Sequence, residues 1–260
     1  MTSPILQAQG ISVSFGGLKA VQDVDLSINK GEIFSLIGPN GAGKTTFFNL
    51  VSGFLKPSSG KAFFMGRDVT AMAPHKIARN GLVRTFQKTN IFADISVAES
   101  VRIGFNMHHK STLLDILCNG KVLREERKQI HDWGEDVLLF TGLAPWKHYL
   151  VKNIPYGKQR MLSIALALAT SPSLLLLDEP ATGLNPVETQ ELIDIILRIR
   201  SERGITVFLI EHNMRLVVSI SDRIAALNYG KKLTEGKPEE VSQNPEVIEA
   251  YLGSRGAKCS

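Results

Sequence analysis

The stretch EIFSLIGPNGAGKTTFFNLVSGF, residues 32–54, decides how the rest of the chain is read. It opens with an apolar run of buried-strand length that ends on Gly38. It closes, from Lys44 onward, as an apolar helix. Between the two, GPNGAGKT at residues 38–45 fits G-x-x-x-x-G-K-[ST]. Glycines there let backbone N–H groups turn inward around phosphate oxygens, and the helix N-terminus adds the positive end of its dipole. Gly38, Pro39, Asn40, Gly41, Ala42, Gly43, Lys44, Thr45 and Thr46 are therefore the expected nucleotide-phosphate residues. Lys44 would reach the terminal phosphates, and the Thr45 hydroxyl can ligate Mg²⁺. The competing reading is a glycine-rich turn with a coincidental lysine. The strand before it and the helix after it favour the phosphate loop.

A second element agrees. SLLLLDEP, residues 173–180, is a fully buried strand that delivers Asp178 toward a metal and sets Glu179 to polarise a water. Alone, it also reads as a strand followed by a charged turn. ITVFLIEH, residues 205–212, is a third buried strand and ends in His212, either a phosphate- or water-contacting group or a satisfied surface histidine. Gln87 closes GLVRTFQ, residues 81–87, read as a strand; glutamines at strand ends usually carry no function on their own.

The remainder bounds the class. Among the 260 residues there is no run of 18 apolar ones, so no membrane-spanning helix is expected. The first residues lack a basic segment followed by an apolar one, so no signal peptide is expected. Two cysteines, Cys118 and Cys259, do not suggest a disulfide framework, and a reducing cytoplasm is the expected compartment. The net charge of +5 is spread without a basic run, so no nucleic acid partner is expected. Strand-like patterning fills residues 5–28, with a turn at Gly16 and Gly17. A short helix enters at Pro74. From residue 88 to about 153 the pattern turns helical and charged, with Ile130, Trp133 or Gly134, Val137 and Leu138 on one face. His108 and His109 lack neighbouring ligands at metal spacing and read as a loop pair. Strand and helix alternation resumes at residue 159 and includes a hairpin turning at Tyr229 and Gly230. This argues for an α/β fold with a mainly parallel sheet covered on both faces.

The order of these motifs resembles the nucleotide-binding subunit of ABC transporters, over nearly the whole chain. The resemblance implies a P-loop NTPase fold with an antiparallel N-terminal β-subdomain, a helical subdomain inserted at about 88–155, and a C-terminal helical tail at 235–260. All would lie within one nucleotide-binding domain, residues 1–260. It implies ATP and Mg²⁺ as cofactors and hydrolysis of ATP to ADP and phosphate. Phe15, in VSFGGLKAV, resembles the aromatic that stacks on adenine. Gln87 is similar to the glutamine that touches Mg²⁺ and the lytic water and senses the membrane subunits. Glu179 would be the general base, His212 the switch histidine, and Thr45, Gln87 and Asp178 the metal-facing residues. Asn185, in GLNP, stands where the family usually has aspartate.

Three stretches, GLVRTFQKTNIFADISVAESVRIG at 81–104, the helical insert after it, and NPEVIEAYLG at 244–253, resemble the branched-chain amino-acid type of importer, the LivG-like type. That type implies a sister ATPase (LivF-like) in a heterodimer, with a homodimer as the alternative. Two membrane permease subunits above it, a periplasmic binding protein acting indirectly, and a peripheral place on the cytoplasmic face of the membrane complete the picture. Another cargo, such as urea or lipid, and a non-transport ABC protein acting on nucleic acid are the competing readings.

NIPYGKQR, residues 153–160, stands at the position of the family's Leu-Ser-Gly-Gly-Gln signature, which faces the ATP of the opposite subunit. Proline replaces the serine and offers neither hydroxyl nor N–H. Tyr156 replaces a glycine, while Gly157 remains and Lys158 follows. Pro155, Tyr156, Gly157 and Lys158 are thus the expected contacts to a partner's ATP, and the alternative is a proline-started helix with no phosphate contact. Because the departure falls on the partner's site, an asymmetric heterodimer is expected.

Overall fold

The computed structural model describes residues 3–85, 93–105 and 121–256. Gln87, His108, His109, Cys118 and Cys259 lie outside them. The described chain divides into two units: residues up to 84 with 173–182 and those from 196 on, and residues 85–172 with 183–195.

In the first unit, five residues explain the sheet. Ile33–Ile37 (β3) is buried at every position, as a strand covered on both faces must be. It pairs in parallel with Thr206–Ile210 (β8) on one side and Arg223–Asn228 (β9) on the other. Leu174–Asp178 (β7) and Leu82–Arg84 (β6) extend the sheet beyond β8, again in parallel, and Lys231–Gly236 (β10) adds an antiparallel edge beside β9. Side chains alternate between faces. Phe34 and Leu36 meet the cluster holding Phe47, Phe48 and Phe208, whose Phe48–Phe208 ring centroids lie 4.5 Å apart. Ile37, Ile224 and Ala226 meet a second cluster with Val217, Val241 and Val247. The described part of β6 ends at Arg84, short of the expected end at Gln87.

Leu6–Phe15 (β1) and Leu18–Ile28 (β2) form a hairpin through Gly16 and Gly17. Ser59–Phe64 (β4) and Arg67–Asp68 (β5) complete the antiparallel sheet, in the order β2-β1-β4-β5. Lys44–Val51 (α1) follows β3, and Pro74–Arg79 (α2) starts on its proline.

The second unit is helical. Val97–Gly104 (α3) begins with a capping box in which Ser96 accepts from Glu99 N and Glu99 accepts from Ser96 N. Lys121–Phe140 (α4) buries Gly134, Val137 and Leu138 and half-buries Ile130 and Trp133, the face its periodicity predicts. Tyr156–Ala169 (α5) packs against α3 at Gly104, where a Cβ would stand 2.9 Å from both the Ala169 Cβ and the Leu166 carbonyl oxygen. Pro186–Arg203 (α6) crosses the division between the units in sequence. Met214–Ile220 (α7), Pro238–Ser242 (α8) and Pro245–Gly256 (α9) belong to the first unit.

Candidate nucleotide site

The loop after β3 is shaped by contacts that only glycine survives. At Gly38, φ is +148° and a Cβ would lie 2.2 Å from the Leu227 carbonyl oxygen. At Gly43, φ is +103° and a Cβ would meet the Ala20 carbonyl oxygen at 2.4 Å. Gly230 N donates to Ala42 O at 2.9 Å, so the β9–β10 turn braces the loop from one side and β2 from the other. Gly43 caps α1 in the left-handed conformation with no side-chain cap, which leaves the first-turn amides available to an anion.

Beside this loop lies a cleft of about 650 Å³, lined by Phe15, Leu18, residues 40–46, Glu179 and Tyr229 among others. Phe15, half exposed at the end of β1, and Tyr229 give it two aromatic walls. The buried Lys44 donates from Nζ to Gly38 O at 2.7 Å and to Pro39 O at 3.0 Å. Burial holds the Lys44 pKa below the ordinary lysine value, and the Glu179 and Asp178 carboxylates pull the other way.

Asp178, at the end of β7, is 3% exposed. Its Oδ2 accepts from Arg84 Nη2 at 2.7 Å, while its Oδ1 is buried with no hydrogen-bond partner among the described residues. Arg84 is held in turn by Asn49 Oδ1 at 2.6 Å and lies over the rings of Phe48 and Phe54. A buried carboxylate oxygen lacking a donor is costly unless a cation meets it. Thr45, which lines the cleft, would add a hydroxyl oxygen, and oxygen donors of this kind suit a hard divalent cation.

Glu179 has φ +46°, unusual for a residue with a Cβ, and its N–H donates to Ile210 O at 2.9 Å. Such a backbone turns the carboxylate out of the strand and into the cleft lining. The residues after it are fastened by Glu211, which is fully buried. Glu211 Oε1 accepts from Ala181 N at 2.8 Å and Oε2 accepts from His212 N at 3.1 Å. Burial pushes the Glu211 pKa up. His212 is about half exposed, just past β8, and is not among the residues lining the cleft. Its neighbour Asn213 caps α7 by accepting from Leu216 N at 3.3 Å.

The signature-position residues lie in the second unit. Pro155 is the N-cap of α5 and offers no side-chain cap. Gly157 is buried, and a Cβ there would come 2.3 Å from Glu188 Oε1. Lys158 is paired with Glu191 at 2.7 Å, and Arg160 Nε donates to the Tyr156 hydroxyl at 3.0 Å. Asn185 caps α6: its Oδ1 accepts from Val187 N at 2.9 Å and Glu188 N at 3.0 Å.

Sequence reasoning passed over Arg84, Glu211 and Tyr229. Glu211 had a signal, since a lone carboxylate within an apolar strand needs partners. Arg84 had none beyond its place three residues before Gln87, and Tyr229 was read only as a turn residue.

A phosphate loop between strand and helix, with two carboxylates ending a nearby parallel strand, defines a nucleotide-hydrolysing P-loop domain. The chain belongs to the ABC transporter family, whose profile matches residues 21–182. A second profile, described as the branched-chain amino acid ATP-binding cassette transporter, matches residues 231–257. The chain is 41% identical over 253 residues to the high-affinity branched-chain amino acid transport ATP-binding protein BraF of Pseudomonas aeruginosa, covering 97% of this chain and 99% of that protein. It is 43% identical to LivG of Salmonella typhimurium, with the same coverage. Among solved structures it resembles the ADP conformation of MJ1267, an ATP-binding cassette of an ABC transporter, with TM-score 0.85 and 30% identity over 97% of this chain and all of that one. The chain is thus a nucleotide-binding, ATP-hydrolysing energy-coupling subunit of the ABC transporter family. Among the described residues, no helix is long and apolar enough to cross a membrane.

Proposed function

We propose that this chain energises import of branched-chain amino acids from the cytoplasmic face of the membrane. It would work beside a sister ATPase and beneath two permease subunits served by a binding protein. The observation that carries the site reading is the cleft in which the phosphate loop, Phe15 and Glu179 share one lining. Amides of residues 41–46 and Lys44 hold the phosphates, and Phe15 lies against the base. Thr45 and Asp178 Oδ1 would hold Mg²⁺, joined by Gln87, and the ion's charge would offset that of the phosphate oxygens. Glu179 orients and polarises the attacking water, so positioning and charge stabilisation account for most of the rate. His212 and Gln87 contact the terminal phosphate or its water once the dimer closes. Residues 155–158 and Asn185 serve the ATP bound to the partner. Residues 88–155 act as the helical arm toward the permease, and residues 235–260 as a C-terminal tail.

The likeness to branched-chain amino acid ATPases along the whole chain, and the matching C-terminal profile, support the cargo class. The test is ATP turnover of the chain assembled with its permeases in vesicles, with the binding protein loaded with leucine, urea or nothing. Leucine should stimulate turnover; stimulation by another cargo alone overturns the cargo and leaves the ATPase. In the same vesicles, Glu179→Gln should bind ATP normally and lower turnover about 10²- to 10⁴-fold. Near-normal turnover would remove Glu179 from the mechanism.

A further inference from the structure

The C-terminal tail reaches the nucleotide site. Tyr251 lies in α9, and its ring packs against the second core cluster, which holds Ile37, Val217 and Val247. Its hydroxyl oxygen accepts a hydrogen bond from Gly38 N at 2.9 Å, a contact spanning 213 residues of sequence. Gly38 follows Ile37, the last β3 residue in register with β9. Its amide is therefore the first past the end of the sheet ladder, where a strand no longer supplies the acceptor. The other end of the same residue is held from the site itself, since Gly38 O accepts from Lys44 Nζ at 2.7 Å. On its third side the Leu227 carbonyl oxygen would stand 2.2 Å from a Cβ, so Gly38 is approached closely there as well. Removing the phenol oxygen leaves a buried N–H without its acceptor, and a glycine relieves that by turning. Any such turn carries Gly38 O away from Lys44 and shifts the start of the loop. Burial raises the Tyr251 pKa, so the phenol stays protonated and neutral through physiological pH.

We propose that Tyr251 is a positioning residue for the phosphate loop, fixing Gly38 so that the loop amides and Lys44 are pre-set for a nucleotide. The tail is thereby part of the ATP site's scaffold although it touches no substrate. The inference rests on the nucleotide site described above.

The test uses the full chain, with ATP and ADP titrated separately and the melting temperature taken without nucleotide. Tyr251→Phe keeps the ring and its packing and deletes one oxygen. It should weaken ATP and ADP binding alike by about five- to tenfold, the loss of one hydrogen bond, and raise the KM for ATP while leaving kcat within about twofold. Amide exchange at Gly38 should also quicken. Val247→Ala, which removes packing from the same helix but no bond to the loop, should lower the melting temperature and leave nucleotide affinity unchanged. Unaltered affinity in Tyr251→Phe, or an equal loss in Val247→Ala, overturns the proposal. Failure of the unmodified chain to bind nucleotide, or full binding by Lys44→Ala, would instead overturn the site reading on which it rests.

Discussion

Residues 38–45 and 153–160 each set a glycine and a lysine close together at the start of a helix, and they are built on opposite plans. In residues 38–45 the glycines are demanded by backbone: positive φ angles at all three and, at Gly38 and Gly43, carbonyl oxygens where a Cβ would sit. The lysine is buried and its bonds go to the loop's own carbonyls. In residues 153–160 the glycine is demanded by a side chain, Glu188, and the lysine is paired at the surface with Glu191. One loop is a backbone cradle with its lysine buried. The other is a packed helix start with Pro155 at its N-cap and Tyr156 exposed. The same residue types therefore carry different weight according to whether backbone or a movable side chain fixes them.

Paired substitutions sharpen the contrast. Gly43→Ala forces a Cβ onto the Ala20 carbonyl at a left-handed φ, and should cost about 3 kcal/mol or more and abolish nucleotide binding. Gly157→Ala asks only that the Glu188 side chain swing aside. The better helix propensity of alanine offsets much of that, so the net change should stay within about 1 kcal/mol. Thermal melts with and without nucleotide check both, and equal effects would erase the distinction. The ion pairs divide likewise. Arg84→Ala strands the buried Asp178 and should cost about 3–5 kcal/mol, whereas Lys158→Ala removes an exposed pair worth about 1 kcal/mol or less. Denaturant titration of each variant separates them.

The smallest effect concerns pH. Glu211 has a folded-state pKa above its unfolded value because burial disfavours its charge. The native state therefore takes up this proton first as pH falls. Stability gains an increment between the raised folded pKa and the unfolded value near 4.5, against the general trend for carboxylates. Glu211→Gln should remove that increment, seen as a steeper acid loss of stability; an unchanged pH profile would show that the burial of Glu211 leaves no titration signature.

Much of this was legible in the sequence because the signals are local. The phosphate loop sits between its strand and helix within 23 residues, residues 32–54, and Asp178 and Glu179 directly follow four leucines. The hairpin at Gly16 and Gly17 and the inward face of α4 were readable from periodicity for the same reason. What escaped were partners distant in sequence: Arg84 with Asp178, Glu211 with Ala181, Tyr251 with Gly38. No window along the chain contains both members of those pairs. Asn185 shows a subtler limit. Its place was noted from family likeness, yet its immediate duty is an N-cap, which asparagine and aspartate fill alike.

The order of strands also has a consequence in time. β3 ends at residue 37, but both of its neighbours, β8 and β9, come from residues 206–228. On the ribosome, the phosphate loop is made early and must wait for its walls. At ordinary elongation rates the interval is on the order of ten to thirty seconds. Until then β3, a strand buried at every position in the folded state, has unpaired edges. ATP cannot settle the loop before then, because the cleft lining also needs Glu179 and Tyr229.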